Sequence, residues 1–283
     1  MITWPPALIR EIADRRAIVF VGAGISKAAS PGIPTWPTLL VKLSEQLSTK
    51  VDKKLVKGLV AKNRLLDAAQ IVTDGVERAD LNAALRQTFQ VRPAPHHEVY
   101  NSLLQLDLKT IVTTNYDEFL EKNFDHYSGG NAAYNVCKHT SRDLLDQVRS
   151  PQRTIAKIHG CITEPNDLVL DRMSYFKARQ LNHGFFQVMS ALFTTHTVLF
   201  IGYSLGDPDL QIILENTHAV TESRHGHYAL LPKMEHRSMV KAVKQSYNIT
   251  CIEYPAGNHT IVPNCISALQ DAVVTDRAGR GTS

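Results

Sequence analysis

Short apolar runs and amphipathic stretches alternate along most of the chain. The run Ala17-Ile-Val-Phe-Val21 is continuously apolar and ends at Gly22-Ala-Gly24. A run of that length closed by glycine predicts a strand buried on both faces, as in a parallel sheet. Runs over 109–113, 154–158, 197–201, 227–231 and 249–253 have the same character. Between them the apolar spacing is helical, over 6–15, 36–47, 185–192, 209–216, 237–245 and 262–272. Strand–helix alternation predicts an α/β fold, a Rossmann-like doubly wound parallel sheet. Residues 38–107 break the alternation with about four helical segments and no strand. They read as a helical insertion beside the sheet. Residues 1–275 read as a single domain, and 276–283 as a frayed, flexible tail.

Composition narrows the class. The chain has 283 residues, 43% of them apolar and 20% charged, enough for a large core and not a disordered composition. The formal charge of +4 is scattered. Lys50, Lys53, Lys54 and Lys57 read as a solvated helix face, so nucleic-acid binding is not indicated. The first apolar run is too short for export or for spanning a bilayer, which predicts a cytoplasmic protein. The four cysteines, Cys137, Cys161, Cys251 and Cys265, form no C-x-x-C pair. Buried thiols are expected, without a zinc site, and no other metal is expected. Tyr134, Tyr175, Phe176, Phe185 and Phe186 read as core or interface residues.

In open parallel sheets, ligands bind beyond the carboxyl ends of the strands. Four segments of this chain place chemistry there. Gly22-Ala23-Gly24-Ile-Ser26 follows the first strand. Its glycines would admit a phosphate to the backbone at a helix start. It is not the dehydrogenase fingerprint, since Lys27 stands at the third glycine position, and it is not a Walker A loop. Thr113-Thr114-Asn115-Tyr-Asp117 leaves the second run, where Asn115 and Asp117 either enter the crevice or cap the following helix. His159-Gly160 ends another strand, and an imidazole there is a general-base candidate. In Gly202-Tyr-Ser204-Leu-Gly206-Asp207-Pro208, Asp207 and Pro208 read as a helix N-cap and first helical residue.

Taken in order, these four segments resemble the sirtuins. The Thr-Thr-Asn-Tyr-Asp and Gly-Tyr-Ser-Leu forms are most similar to a bacterial antiphage-defence branch that hydrolyses NAD. Some short members of that branch act with a HerA-type ATPase. The resemblance implies NAD as substrate and cleavage of its nicotinamide–ribose bond. It implies Asn115 on the ribose or the attacking water and His159 as base. Asp117 would orient Asn115 or the nicotinamide amide. Gly22, Ala23, Gly24 and Ser26 would hold the pyrophosphate. Trp36 would shield the nicotinamide, and Thr114, Gly202 and Ser204 would line the pocket. A homo-oligomer and an ATPase partner are implied in the same way.

The departures bear on protein-lysine deacylation, the first alternative. Thr114 stands where deacylases carry Gln, and Thr35-Trp36-Pro37 replaces their Asp-Phe-Arg. Their zinc-binding cysteine pairs and acyl-peptide segment have no counterpart. A second alternative is a serine hydrolase. Gly202-Tyr-Ser204-Leu-Gly206 fits G-x-S-x-G, with Asp209 or Glu253 and then His259 in triad order. A third is a module that senses NAD without turning it over.

Overall fold

The helix α1 (Pro6–Ala13) delivers the chain into β1 (Ala17–Val21), every residue of which is buried. The computed structural model describes residues 2–131, 134–221 and 226–281. Along β1 the side chains alternate between two cores. Ala17, Val19 and Val21 join one hydrophobic cluster, Ile18 and Phe20 the other. A strand with two apolar faces needs helices on both sides, and the remaining elements supply them.

After α2 (Ala23–Ala29) come five helices with no strand among them. They are α3 (Trp36–Ser44), α4 (Lys50–Ala61), α5 (Leu65–Gly75), α6 (Arg78–Phe89) and α7 (Glu98–Gln105). The chain then alternates through β2 (Thr110–Thr113), α8 (Phe119–Tyr127), β3 (Tyr134–Lys138), α9 (Leu144–Arg149) and β4 (Arg153–Lys157). Two helices, α10 (Arg172–Leu181) and α11 (His183–Thr195), precede β5 (Thr197–Ile201). The last elements are α12 (Pro208–Thr221), β6 (His227–Pro232), α13 (Arg237–Tyr247), β7 (Ile249–Tyr254) and α14 (Val262–Gly279).

All seven strands pair in parallel, in the order β3-β4-β2-β1-β5-β6-β7. The chain starts at the centre, winds one way through β2 to β3 and β4, then returns to wind the other way from β5. The switch point lies between β1 and β5, where an open sheet forms its ligand crevice. This is the α/β, Rossmann-like, doubly wound sheet that the hydropathy pattern predicts.

Two features depart from the pattern. The edge strand β3 was not expected: only Cys137 of its five residues is buried, so it carries no apolar run. The expected fraying from residue 276 is not seen, because α14 continues to Gly279. There the Arg277 guanidinium donates to the carbonyls of Ile12, Ala13 and Leu106, and Arg280 pairs with Asp14 at 2.8 Å. Thr282 and Ser283 lie outside the described residues.

Candidate active site

Strand register sets the level of the site. Val21 pairs with Thr113 on one side and Ile201 on the other, and Thr113 pairs with Lys157. Gly22 and Gly202 therefore stand one residue beyond paired positions of neighbouring strands. Asn115 and His159 each stand two residues beyond theirs. The four segments that the sequence singles out meet at one end of the sheet.

The glycines let two turns touch. Gly22 N–H donates to Ile201 O and Gly24 N–H to Gly202 O, both at 2.9 Å. A Cβ on Gly22 would lie 2.3 Å from the Gly202 oxygen. Gly202 has φ +63°, and a Cβ there would meet the Ile25 nitrogen at 2.7 Å. Three of the candidate pocket residues thus serve first as the joint between the β1 and β5 turns.

At the end of β2 a buried polar chain fixes Asn115. The Thr113 hydroxyl donates to Val21 O at 2.7 Å and accepts from Asn115 N–H at 3.0 Å. The Asn115 amide donates to Ser26 Oγ at 3.0 Å. Ser26 also bonds the Asp117 carboxylate, whose Oδ1 accepts from Phe119 N–H at the start of α8. Asp117 thus caps a helix and supports Asn115 through Ser26. Ser26 is 1% exposed, so its side chain serves this chain of bonds. Burial raises the Asp117 pKa, against the pull of Lys157. The Lys157 ammonium, itself buried, donates to Asp117 O at 2.5 Å and Glu121 Oε1 at 2.9 Å. An ammonium with two such acceptors stays charged inside the protein, and its pKa lies above the usual value despite burial.

His159 lies at the end of β4, where Gly160 at φ +82° turns the chain sharply. The imidazole is 4% exposed. Its Nε2 faces two carboxylates, Asp207 Oδ2 at 3.4 Å and Asp209 Oδ2 at 3.9 Å. Asp207 Oδ1 caps α12 by accepting from Asp209 N–H and Leu210 N–H. Helix α10 closes the cluster: Tyr175 OH donates to Asp207 Oδ2 at 2.6 Å, and Arg179 donates to Asp209 Oδ1 at 2.8 Å. The Tyr175 ring meets His159 edge-on at 4.9 Å and stacks on Trp36 at 6.1 Å.

Burial lowers the His159 pKa, only partly offset by Asp207, so the ring is neutral and able to take a proton. Burial and the Asp207 charge push Asp209 up to about 7, against Arg179. His139 nearby is lowered to about 4 by burial and by His159. Several buried polar atoms here make no hydrogen bond within the protein: Trp36 Nε1, His139 Nδ1, His159 Nε2, Tyr203 OH and Asp209 Oδ2. Such a concentration marks a place built to meet a polar ligand.

Among the described residues, His159, Asp207 and Asp209 are the group of three whose ligand atoms come within 4.8 Å of one another. One oxygen of each carboxylate is already held, by Tyr175 and by Arg179. The Arg179 charge opposes a cation. The donor set fits proton handling better than metal binding.

The serine-hydrolase alternative does not assemble. Ser204 is exposed, and the left-handed backbone falls at Gly202 and Leu205 rather than at the serine. His259 Nδ1 is engaged with Tyr254 OH at 2.9 Å, Glu253 accepts from Met234 N–H, and Asp209 belongs to His159. Thr114 is half-buried beside Asn115, and Ala23 opens α2. Sequence reasoning missed Tyr175 and Arg179, which sit on a polar helix far along the chain. It read Asp207 as a cap alone, which it is, without its second oxygen's role.

A glycine turn, an asparagine and a histidine gathered at the switch-point end of a parallel sheet occupy the place where α/β proteins bind nucleotides. A SIR2-like domain model matches residues 109–252, and the chain belongs to that family. The NAD(+) hydrolase ThsA of Bacillus cereus (strain MSX-D12) is 28% identical over 231 residues, covering 81% of this chain and 45% of that protein. The NAD(+) hydrolase ThsA of Acinetobacter baumannii (strain 532279) is 27% identical over 246 residues, 86% of this chain and 48% of that protein. Defense-associated sirtuin 2 of Bacillus subtilis is 26% identical over 217 residues, 73% of this chain and 20% of that protein. The chain spans less than half the length of these curated relatives. A solved Sir2 enzyme structure superposes with a TM-score of 0.47 at 12% identity, over 96% of this chain and 97% of that one.

Proposed function

We propose that this chain hydrolyses NAD at the nicotinamide–ribose bond, releasing nicotinamide and ADP-ribose. The observation that carries the reading is the placement of Asn115 and His159, each two residues past the Thr113–Lys157 pair of adjacent strands. It is supported by relatives named NAD(+) hydrolases that align over about four-fifths of the chain.

Nicotinamide leaves as a neutral molecule from a positively charged ring, so the enzyme's task is orientation and charge stabilisation. Asn115, held by Ser26 and Thr113, holds the ribose or the attacking water. His159, neutral in its buried setting, takes a proton from a ribose hydroxyl or from that water. Asp117 keeps Asn115 in place. The Gly22–Ser26 turn offers its backbone to the pyrophosphate. Trp36, Thr114, Gly202 and Ser204 line the pocket.

In the cell this activity would deplete NAD in antiphage defence. The protein works in the cytoplasm as a homo-oligomer, with a HerA-type ATPase as partner, and its first 275 residues form the NAD-binding domain. Among the described residues no helix is long and apolar enough to cross a membrane. Chromatography of NAD incubated with wild type, Asn115→Ala and His159→Ala tests the proposal, with and without the ATPase. Nicotinamide and ADP-ribose from wild type alone support it. Release that requires an acetylated peptide would move the reading to deacylation.

A further inference from the structure

The base candidate does not stand alone. Both carboxylates at its Nε2 edge are themselves restrained. Asp207 is held through Oδ1 by two amides of α12 and through Oδ2 by the Tyr175 hydroxyl. Asp209 is 2% exposed and is held by Arg179. Such rigidity fits carboxylates that hold a ring, since a carboxylate serving only as a cap needs one oxygen. His159 Nε2 and Asp209 Oδ2 have no hydrogen-bond partner, so the arrangement has capacity for a shared proton.

We propose that Asp207 is the positioning residue for His159, fixing the Nε2–H tautomer so that Nδ1 carries the basic lone pair, and that Asp209 completes the charge balance. The proposal rests on the hydrolase reading for its chemistry. Nδ1 takes the proton from the ribose hydroxyl or from water, and the oxygen keeps the electron pair. The imidazolium that forms donates through Nε2–H to Asp207, and the proton later leaves Nδ1 to solvent. Before the transfer, with Asp209 in its ionised form, two carboxylates and one guanidinium leave a net charge of −1 beside a neutral ring. After it the cluster is neutral, which a buried site favours.

The charged and titratable groups facing the cluster come from five places. They are Tyr175 and Arg179 of α10, Tyr203 after β5, Tyr116 after β2, His139 after β3, and the two aspartates of the α12 start. The tyrosines have raised pKa values and stay neutral, so the charge of the cluster near neutral pH turns on Asp209, pushed up to about 7.

The test is Asp207→Asn, which keeps the shape and the capping oxygen and removes the charge, with Tyr175→Phe as a second variant that leaves the cap intact. We expect kcat for NAD to fall roughly 10- to 100-fold for Asp207→Asn, with KM within about twofold. The acid limb of the kcat profile should also move to lower pH, since a lost anion lowers the pKa of both His159 and Asp209. Tyr175→Phe should give a smaller loss in kcat of the same kind. A merely structural role would lower activity at every pH and leave the limb in place. Separately, 15N NMR of histidine-labelled protein, assigned with His159→Ala, should show Nε2–H for His159 in wild type and a lowered pKa in Asp207→Asn. An Nδ1–H tautomer, or an unmoved titration and pH limb, would overturn the proposal. If wild type releases no nicotinamide, the hydrolase reading fails, and the NMR titration still decides the Asp207–His159 pair.

Discussion

Replacing Gly22 by alanine is a sharp perturbation of the joint between the two central turns. The backbone of Gly22 is ordinary, at φ −103° and ψ 177°, so alanine adopts it without strain. The difficulty is contact. The new methyl would lie 2.3 Å from Gly202 O, 2.8 Å from Gly202 C and 2.8 Å from Tyr203 Cα, all backbone atoms that cannot rotate away. An easy carbon–oxygen contact is about 3.3 Å, so the turns must separate by roughly 1 Å. That stretches the two turn-to-turn hydrogen bonds, each 2.9 Å and each contributing about 1 kcal/mol. Overpacking adds about 1–3 kcal/mol. For a domain of this size the expected loss in Tm is roughly 5–15 °C. The Gly202 turn also leads to Asp207, and a 1 Å displacement in a reacting site costs about 10²-fold in rate. Differential scanning fluorimetry and NAD turnover measure both effects. The control is Gly58→Ala in α4, where the methyl meets nothing within 4 Å and the substitution should stabilise by about 0.5–1 kcal/mol. A Gly22→Ala protein with wild-type Tm and wild-type turnover would refute the contact argument.

Two further outcomes follow from the buried charges. Lys157→Met leaves Glu121 partly buried and Asp117 O without its donor; urea unfolding should show a loss of about 3–5 kcal/mol, recovered in part by adding Glu121→Gln, and a loss under about 1 kcal/mol would mean the ammonium is not holding the 113–118 turn. Asp209 titrates at about 7 in the fold against an ordinary value of 3.8. Between those values the folded protein keeps a proton that the unfolded chain has released, so this group's contribution to stability is full below 3.8 and is lost as pH rises to about 7. The Tm of wild type relative to Asp209→Asn should therefore fall across that window, and a constant difference would contradict the assignment.

Much of the sheet was legible because β1, β2, β4, β5 and β6 are largely buried on both faces and carry short apolar runs, while the other edge strand, β7, keeps Ile249, Ile252 and Tyr254 buried. Strand β3 was not, since an edge position asks only Cys137 to be buried and leaves Tyr-Asn-Val-Cys-Lys without a period. The continuation of α14 was hidden because its final turn is held by Arg277 and Arg280 on distant partners rather than by apolar spacing. At the site, the strand-end positions of Asn115 and His159 were legible, while their roles rest on the family resemblance, since either residue could equally cap a helix or fill a structural place. The β1 and β5 glycines were read for phosphate, while their packing against each other depends on sheet order. Tyr175 looked like a core aromatic, and the polar Arg172–Leu181 helix carries no motif. Its closure over His159 rests on tertiary contacts between residues 16 to 32 positions apart, and no local pattern encodes it.

The most direct test of the account is nicotinamide and ADP-ribose release from NAD by the purified chain, beside Asn115→Ala and His159→Ala, each verified as folded by its Tm. The account predicts release by wild type and loss of roughly 10²-fold or more in both variants. Equal release by wild type and the folded variants would contradict the assigned site, and no release from NAD under any of these conditions would contradict the function.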